Sequence, residues 1–275
     1  MQFPFSDVLG ETELAFRAIK EATKKVLEIY NDDFQSMEKE DKSPVTLADI
    51  ESHGIITRIL SESNTTIVSE EGEQHGGSAN SRFWLVDPLD GTREFVDRNG
   101  EFTIMIALVE NGKPRIGLIS HPLAGSVYLA QTGRGAFKHD GNGWSRLRVS
   151  DIETLRGSRA VISRSHVSAE ELSFIESLKL SGYSRLGSSL KALKICSGDA
   201  ELYFAANRKM KQWDTCASSC LVIESGGRMT DMFGGEIVYS TETASHEKGV
   251  VISNGRVHEE FISKSAPMRA KVRSA

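Results

Sequence analysis

Trp84-Leu85-Val86-Asp87-Pro88-Leu89-Asp90-Gly91-Thr92 decides the fold. An apolar run reads as a buried strand and ends in two carboxylates three positions apart. Pro88 cannot continue a central strand, so the spacing predicts a turn at that point. Asp87 and Asp90 then sit at a strand exit, where α/β architectures place their chemistry. Gly91-Thr92 is predicted to open a helix whose bare amides face an anion. Carboxylates for a hard cation beside amides for a phosphate point to metal-assisted phosphate chemistry. An ordinary Asp-Pro turn with a helix cap is the competing reading of the stretch alone.

Upstream, Leu9, Leu14, Ala18, Ala22, Val26 and Ile29 recur at helical spacing and predict a helix over Asp7 to Tyr30. Ser43-Pro44 breaks the chain, and a second helix is expected from Thr46 to Leu60. Thr65 to Ser69 reads as a strand, followed by a loop over Gln74 to Asn80. After the central motif, strands are expected at Phe102–Val109, Pro114–Ser120, Ser126–Ala130 and Ala136–Lys138. Turn signals at Asn111-Gly112, Ala124-Gly125 and Asp140-Gly141 make this an antiparallel meander. Beyond Ser150, strands at Arg159–Ser163, Glu201–Ala205 and Val250–Ser253 alternate with helices. The helices are placed at Ala169–Leu180, Ser189–Ser197, Asp214–Glu224 and Val257–Lys264, with Gly226-Gly227 as a helix stop. Two units are therefore expected: residues 1–149, α+β with an antiparallel sheet, and residues 150–275, α/β.

A chain of 275 residues can bury a large core, and its net charge of -5 argues against nucleic acid as a partner. Met1-Gln2-Phe3-Pro4-Phe5 lacks the pattern of a signal peptide, and no apolar stretch is long enough to span a bilayer, so a cytoplasmic location is expected. The basic tail Ser265 to Ala275 reads most simply as a disordered end, with weak peripheral contact at the inner membrane face as the lesser reading. Cys196, Cys216 and Cys220 are too few for a disulfide scaffold, and packing is their expected role.

Four acidic positions stand at element ends: Glu70, Asp87, Asp90 and Asp214. With no Lys or Arg between Asp87 and Thr92, they would repel one another unless a cation sat among them. Oxygen-only ligands select Mg²⁺ or Mn²⁺ over zinc or copper. The alternative is that Glu70 and Asp214 merely complement local dipoles.

Taken together, these motifs resemble the inositol monophosphatase superfamily of Mg²⁺-dependent, lithium-sensitive phosphatases. The first motif is Trp84 to Thr92; the second is Trp213-Asp214-Thr215-Cys216-Ala217 with Gly226-Gly227 following. Ser69-Glu70-Glu71 and Thr46-Leu47-Ala48-Asp49 supply the remaining acidic steps. Within the superfamily, Thr92-Arg93-Glu94-Phe95, Arg98 to Thr103, Ser163-Arg164-Ser165-His166 and Gly187-Ser188-Ser189-Leu190-Lys191 resemble the 3'(2'),5'-bisphosphate nucleotidases. Gln212 stands before Trp213 where many relatives carry Glu.

The resemblance implies a layered α-β-α-β-α sandwich of the sugar/inositol phosphatase type. It implies that Glu70, Asp87 and the Leu89 carbonyl hold Mg²⁺, that Asp90 and Asp214 hold a second ion, and that a third, weaker ion can sit near Glu70. Asp49 and Thr92 would form the water-activating pair, Asp49 taking the Thr92 hydroxyl proton. Substrate contacts would come from Glu70, Leu89, Asp90, Gly91, Thr92, Ser163, His166, Lys191 and Asp214. For His166 the bland reading is a surface or packing residue, and for Lys191 a solvated helix face. The implied reaction converts adenosine 3',5'-bisphosphate to AMP and phosphate by in-line attack of water. The same chemistry on inositol monophosphate or a sugar phosphate is the alternative. An inactive nucleotide- or metal-binding regulator is the alternative of another class. A covalent aspartyl-phosphate is not expected, because Asp87 and Asp90 are three apart rather than two.

Overall fold

The computed structural model describes residues 2–32, 36–38, 44–72 and 81–274. In chain order its elements are α1 (Gly10–Asn31), β1 (Ser36–Glu38), β2 (Pro44–Thr46), α2 (Leu47–Leu60), β3 (Thr66–Ser69), β4 (Arg82–Asp90) and α3 (Thr92–Val96). The chain continues through β5 (Thr103–Glu110), β6 (Lys113–His121), β7 (Ser126–Gln131), β8 (Gly135–His139), β9 (Trp144–Arg146), β10 (Arg159–Ser163) and α4 (Ala169–Ser177). Last come β11 (Gly182–Leu186), α5 (Leu190–Cys196), β12 (Leu202–Ala205), α6 (Trp213–Glu224), β13 (Arg228–Thr230), β14 (Val250–Ser253), α7 (His258–Lys264) and α8 (Ala266–Ser274).

Two sheets carry the fold, one of seven strands in the order β3 to β9 and one of five in the order β11-β10-β12-β14-β13. Strand residues alternate between faces, and that period sorts the apolar side chains into three cores. On the first sheet, Trp84, Val86, Ile104, Ile106 and Leu108 join the core shared with α1 and α2. Their neighbours Phe83, Leu85, Met105, Ala107 and Val109 face the opposite way, into a core with α5 and α6. That middle core is closed from the other side by Val161, Tyr203, Ala205, Val250 and Ile252 of the second sheet. The far face of that sheet, with Ile162, Leu202, Phe204 and Val251, packs on α4, α7 and α8. Helix pair, sheet, helix pair, sheet, helices: the expected five-layer α-β-α-β-α arrangement is the one observed. The double-sided burial of both sheets explains why their central strands read as unbroken apolar runs.

Several boundaries differ from expectation for local reasons. β4 does not turn away at Asp87; pairing with β5 resumes at Asp90, with Asp87 opposite Met105 and Asp90 opposite Thr103. Three steps on β4 thus face two on β5, which makes a bulge. Pro88 sits inside it, where its missing N–H costs no ladder bond. Helix α4 stops at Ser177, and Lys179 takes a left-handed φ of 52°. The edge strand β11 and the short β9 and β13 escaped the pattern because they carry few apolar residues. The second sheet is mixed, since β14 runs antiparallel to both β12 and β13.

The tail from Ser265 is not a loose end: residues 266–274 form α8. Met268 and Val272, one turn apart, are buried in the third core. Lys271 donates to Ser168 Oγ at 2.5 Å, and the Arg273 guanidinium lies 5.1 Å from the centre of the Phe233 ring. Its cations thus have intramolecular partners. Among the described residues no helix is long and apolar enough to cross a membrane. The expected loop at Gln74–Asn80, with His75, and the break at Ser43 lie outside the described residues.

Candidate active site

The acidic residues are brought together by strand register. β3 runs parallel to β4 with Ser69 beside Val86, and the Glu70 amide donates to the Val86 carbonyl at 3.1 Å. Glu70 therefore emerges next to Asp87. Asp87 is buried, and its Oδ1 accepts the Leu89 N–H at 3.1 Å, which shapes the bulge. Ser52 Oγ, on α2, donates to the Pro88 carbonyl at 2.8 Å and pins the same bulge from below. Asp214 arrives from the first turn of α6, its Oδ2 accepting the Lys211 N–H at 2.8 Å. Each of Glu70, Asp87 and Asp214 offers an oxygen such that all three lie within 4.8 Å of one another.

Asp90 stands outside this triplet. Its Oδ2 is turned to the Ser189 N–H at 2.5 Å and to the Thr103 hydroxyl at 3.3 Å. Thr103 Oγ1 and Ser189 Oγ are in turn 2.7 Å apart. Asp90 still senses the cluster, as its charge helps raise both Asp87 and Asp214. Burial is the largest cause holding the carboxyls of Asp87 and Asp214 well above the ordinary range, and mutual repulsion with Glu70 and Asp90 adds to it. Burial likewise raises Asp90, against the pull of Lys191 and the Ser189 amide. A cluster of hard oxygen donors whose negative charges repel one another fits a divalent cation such as Mg²⁺.

Asp49 lies at the third position of α2 and completes a capping box. Its Oδ2 accepts both the N–H and the hydroxyl of Thr46 at 2.7 Å. Its other oxygen, Oδ1, accepts the Thr92 hydroxyl at 3.0 Å. The cap thus fixes the carboxylate that meets Thr92, a double use not visible in the spacing. The Leu89 carbonyl also accepts from Thr92 Oγ1, at 3.3 Å. Gly91 caps the one-turn helix α3 with φ of 93°. A methyl group there would meet the Glu101 carbonyl at 3.0 Å, so glycine is required for both conformation and approach.

A cavity of about 340 Å³ opens over these groups. Glu70, Asp90, Gly91, Thr92, Asp214, Ser163, His166 and Lys191 all line it, whereas Asp49, Asp87 and Leu89 lie behind its wall. Lys191 is buried, its Nζ donating to the Ser188 carbonyl and lying 5.5 Å from the centre of the Tyr203 ring. The solvated-face reading of Lys191 is therefore wrong. Burial lowers its pKa against the pull of Asp90, Glu94 and Asp214. His166 is held by its own N–H to Ser163 Oγ at 3.1 Å, and burial lowers its imidazole.

The cavity also exposes residues that spacing did not single out: Arg93, Glu94, Tyr203, Phe204 and Lys209. Arg93 and Glu94 lie within a motif quoted above, and their charge beside Thr92 was the available signal. Lys209 carried none. Gln212 is buried; its amide donates to Thr243 Oγ1 and its carbonyl accepts the Ser240 N–H. Among the other histidines, His53 meets Ser69 Oγ at 2.9 Å, and His246 meets Thr215 Oγ1 at 2.6 Å. His258 lies between Ser253 and Thr230, His121 meets the Gly100 carbonyl, and His139 accepts from the Gly141 amide.

A curated relative from Salmonella typhimurium (strain LT2), the 3'(2'),5'-bisphosphate nucleotidase CysQ, is 37% identical over 210 residues, 74% of this chain and 82% of its own. The crystal structure of CysQ from Bacteroides thetaiotaomicron is 32% identical with a TM-score of 0.77, covering 90% of this chain and 97% of that one. An IMPase/NADP phosphatase solved with Mg²⁺ and phosphate shares the fold at a TM-score of 0.78 and 19% identity, covering 92% of this chain and 94% of its own. The profile of the inositol monophosphatase family matches residues 10–269, and the chain belongs to that family.

Proposed function

We propose that this protein is a Mg²⁺-dependent phosphomonoester hydrolase that removes the 3'-phosphate of adenosine 3',5'-bisphosphate, giving AMP and phosphate. The observation that carries the reading is the convergence of Glu70, Asp87 and Asp214, from three separate elements, to within 4.8 Å. Glu70, Asp87 and the Leu89 carbonyl would hold one ion, Asp90 and Asp214 a second, with a third near Glu70. When bound, Mg²⁺ supplies Lewis-acid polarisation of the phosphoryl oxygens, lowers the pKa of the attacking water and stabilises the leaving oxygen.

The residues of the chain supply orientation and proton transfer. Thr92 donates its hydroxyl proton toward Asp49 Oδ1, which leaves its oxygen lone pairs to accept from a water. That water is aimed at phosphorus opposite the ester oxygen. As the new P–O bond forms and the P–O3' bond breaks, the water proton passes through Thr92 to Asp49, and the departing 3'-oxygen takes up a proton from solvent water to become the 3'-hydroxyl of AMP. Burial raises the Asp49 carboxyl and suits it to receive that proton, while the Thr46 and Thr92 hydrogen bonds moderate the rise. The first-turn amides at Gly91 and Thr92 have no intrahelical acceptor and are available to phosphate oxygens.

The same cavity that holds the acidic residues carries three cations, Arg93, Lys191 and Lys209. A substrate with two phosphates would offer an anion to both sets, whereas an inositol monophosphate would bring no second anion to the cations. Ser163, His166 and Lys191 would contact the nucleotide. Phosphate release with Mg²⁺ from adenosine 3',5'-bisphosphate, inositol 1-phosphate and a sugar phosphate tests the proposal, with millimolar Li⁺ in parallel. Preference for the nucleotide and inhibition by Li⁺ are expected. Preference for inositol 1-phosphate refutes the nucleotide assignment and spares the metal chemistry, while no hydrolysis of any ester refutes both.

A further inference from the structure

Two carboxylates, Glu94 in α3 and Glu101 ahead of β5, bond to the segments that follow β10 and β11 of the second sheet. Glu101 accepts a two-pronged pair from Arg164, Nη2 to Oε1 at 2.5 Å and Nε to Oε2 at 2.7 Å. Its Oε2 also accepts the Gly187 N–H at 2.6 Å. Glu94, itself buried, accepts the Ser165 hydroxyl at 2.7 Å. Arg164 and Ser165 lie between the cavity residues Ser163 and His166, and Gly187 immediately precedes the segment bearing Ser189 and Lys191. Each clasp therefore joins the metal side to the side that would hold the ester group.

The contact has no slack. A methyl group on Gly187 would lie 2.6 Å from Glu94 Cγ and 3.0 Å from the Glu101 carbonyl, and one on Gly91 would lie 3.2 Å from Ser188 Cβ. The Glu101 side chain is 16% exposed against 41% for Arg164, so water screens the pair from one side only. Burial alone would raise the Glu101 carboxyl, yet Arg164 and the Gly187 amide hold it below the usual range. Fork-to-fork pairing fixes direction as well as distance, which a single lysine contact cannot do.

We propose that Glu101 and Glu94 are positioning residues that fasten the Ser163–His166 turn and the Gly187–Ser189 segment to the metal-side loop, so that they set affinity for the ester group rather than the rate of phosphoryl transfer. This rests on the nucleotidase reading for the identity of that ester. Neither residue belongs to the Glu70–Asp87–Asp214 triplet. A rival role exists, because the Gly187–Ser189 segment also supplies the amide bound to Asp90. In that case loosening it would damage the metal centre and every substrate equally.

The test uses the full chain with Arg164→Gln, Glu101→Gln and Ser165→Ala, assayed with saturating Mg²⁺ on adenosine 3',5'-bisphosphate and on glycerol 2-phosphate, a small ester without a ring. Arg164→Gln and Glu101→Gln are expected to raise KM for the bisphosphate about tenfold, with kcat held to within about twofold. Ser165→Ala is expected to do so by a smaller factor, and none of the three to alter the constants for glycerol 2-phosphate. The double variant of Arg164 and Glu101 is expected to be no worse than the more affected single variant. Amide hydrogen exchange is expected to quicken at residues 164–166 and 187–189 and to stay unchanged at the start of α6. A parallel fall in kcat on both esters, or unchanged KM and exchange, overturns the proposal. Should Glu101→Gln fail to fold, the surface change at Arg164 and the neutral change at Ser165 carry the test. Exchange reads the clasp without substrate, so a wild-type protein that ignores the bisphosphate would sink the nucleotidase reading alone.

Discussion

Helix α6 carries Asp214 into the acidic triplet, and its seat on the first sheet depends on one glycine. Gly117, in β6, faces the helix, and a Cβ there would lie 2.6 Å from the Ala217 carbonyl oxygen and 2.7 Å from Cys220 Cβ. Ordinary contact requires about 3.4 Å or more, so Gly117→Ala must displace α6 by roughly 1 Å. Overpacking of that kind costs about 1–3 kcal/mol, which lowers Tm by roughly 2–10 °C in a chain of this size. Ala217 is one turn from Asp214, so the shift reaches a carboxylate that must meet two others within 4.8 Å. A displacement of about 1 Å in a catalytic group lowers turnover by up to about 100-fold. Phosphate release titrated with Mg²⁺ is expected to show a raised half-saturation point and a fall in kcat, with circular dichroism unchanged. Gly235→Ala is the control: its methyl would meet the Asp231 carboxylate at 2.8 Å, in a loop that contributes no site residue, and should cost stability alone. If Gly117→Ala loses Tm but keeps wild-type Mg²⁺ dependence and kcat, α6 does not transmit its seating to Asp214 and the reasoning fails.

Thr92→Val removes the hydroxyl bound to Asp49 and is expected to lower kcat by about 10²–10⁴-fold, with Thr92→Ser restoring most of it. Equal rates for the Val and Ser variants in a single-turnover assay would exclude Thr92 as the water-orienting group. Burial lowers His246 and His258 from 6.5 to about 4, so each is neutral in the fold while the unfolded chain takes up a proton. Stability to urea should therefore be full above about pH 6.5 and fall as pH drops toward 4, by up to roughly 3 kcal/mol per histidine at 1.36 kcal/mol per unit. His258→Gln should flatten that slope by up to one proton; an unchanged slope would mean that His258 is not the titrating group.

What the sequence made legible, and what it hid, follows from the distance over which each contact acts. Glu70, Asp87 and Asp90 were readable because they stand where apolar runs end, and strand ends are set by nearest neighbours in the chain. The Asp49–Thr92 bond spans 43 positions, and only resemblance to known motifs supplied it; the structure then places the two oxygens 3.0 Å apart. Lys191 could not be judged, since a lysine among Leu190, Ala192 and Leu193 looks the same whether its amine meets water or is buried against the Ser188 carbonyl and the Tyr203 ring. The same holds for His258 and His246, whose hydroxyl partners come from other elements, and for the Glu101–Arg164 fork, 63 positions apart. The bulge at Pro88 and helix α8 were misread for a different reason. Proline and a polar composition lower the local preference for strand or helix, but pairing with β5 and burial of Met268 and Val272 outweigh that preference. Local rules therefore located the acidic groups singly, whereas the geometry that makes them one site is a property of register: Ser69 beside Val86 in one parallel pair, and three steps on β4 facing two on β5 in the next. A register slip of one residue in β3 would turn Glu70 to the opposite face and dissolve the triplet without changing a single amino acid.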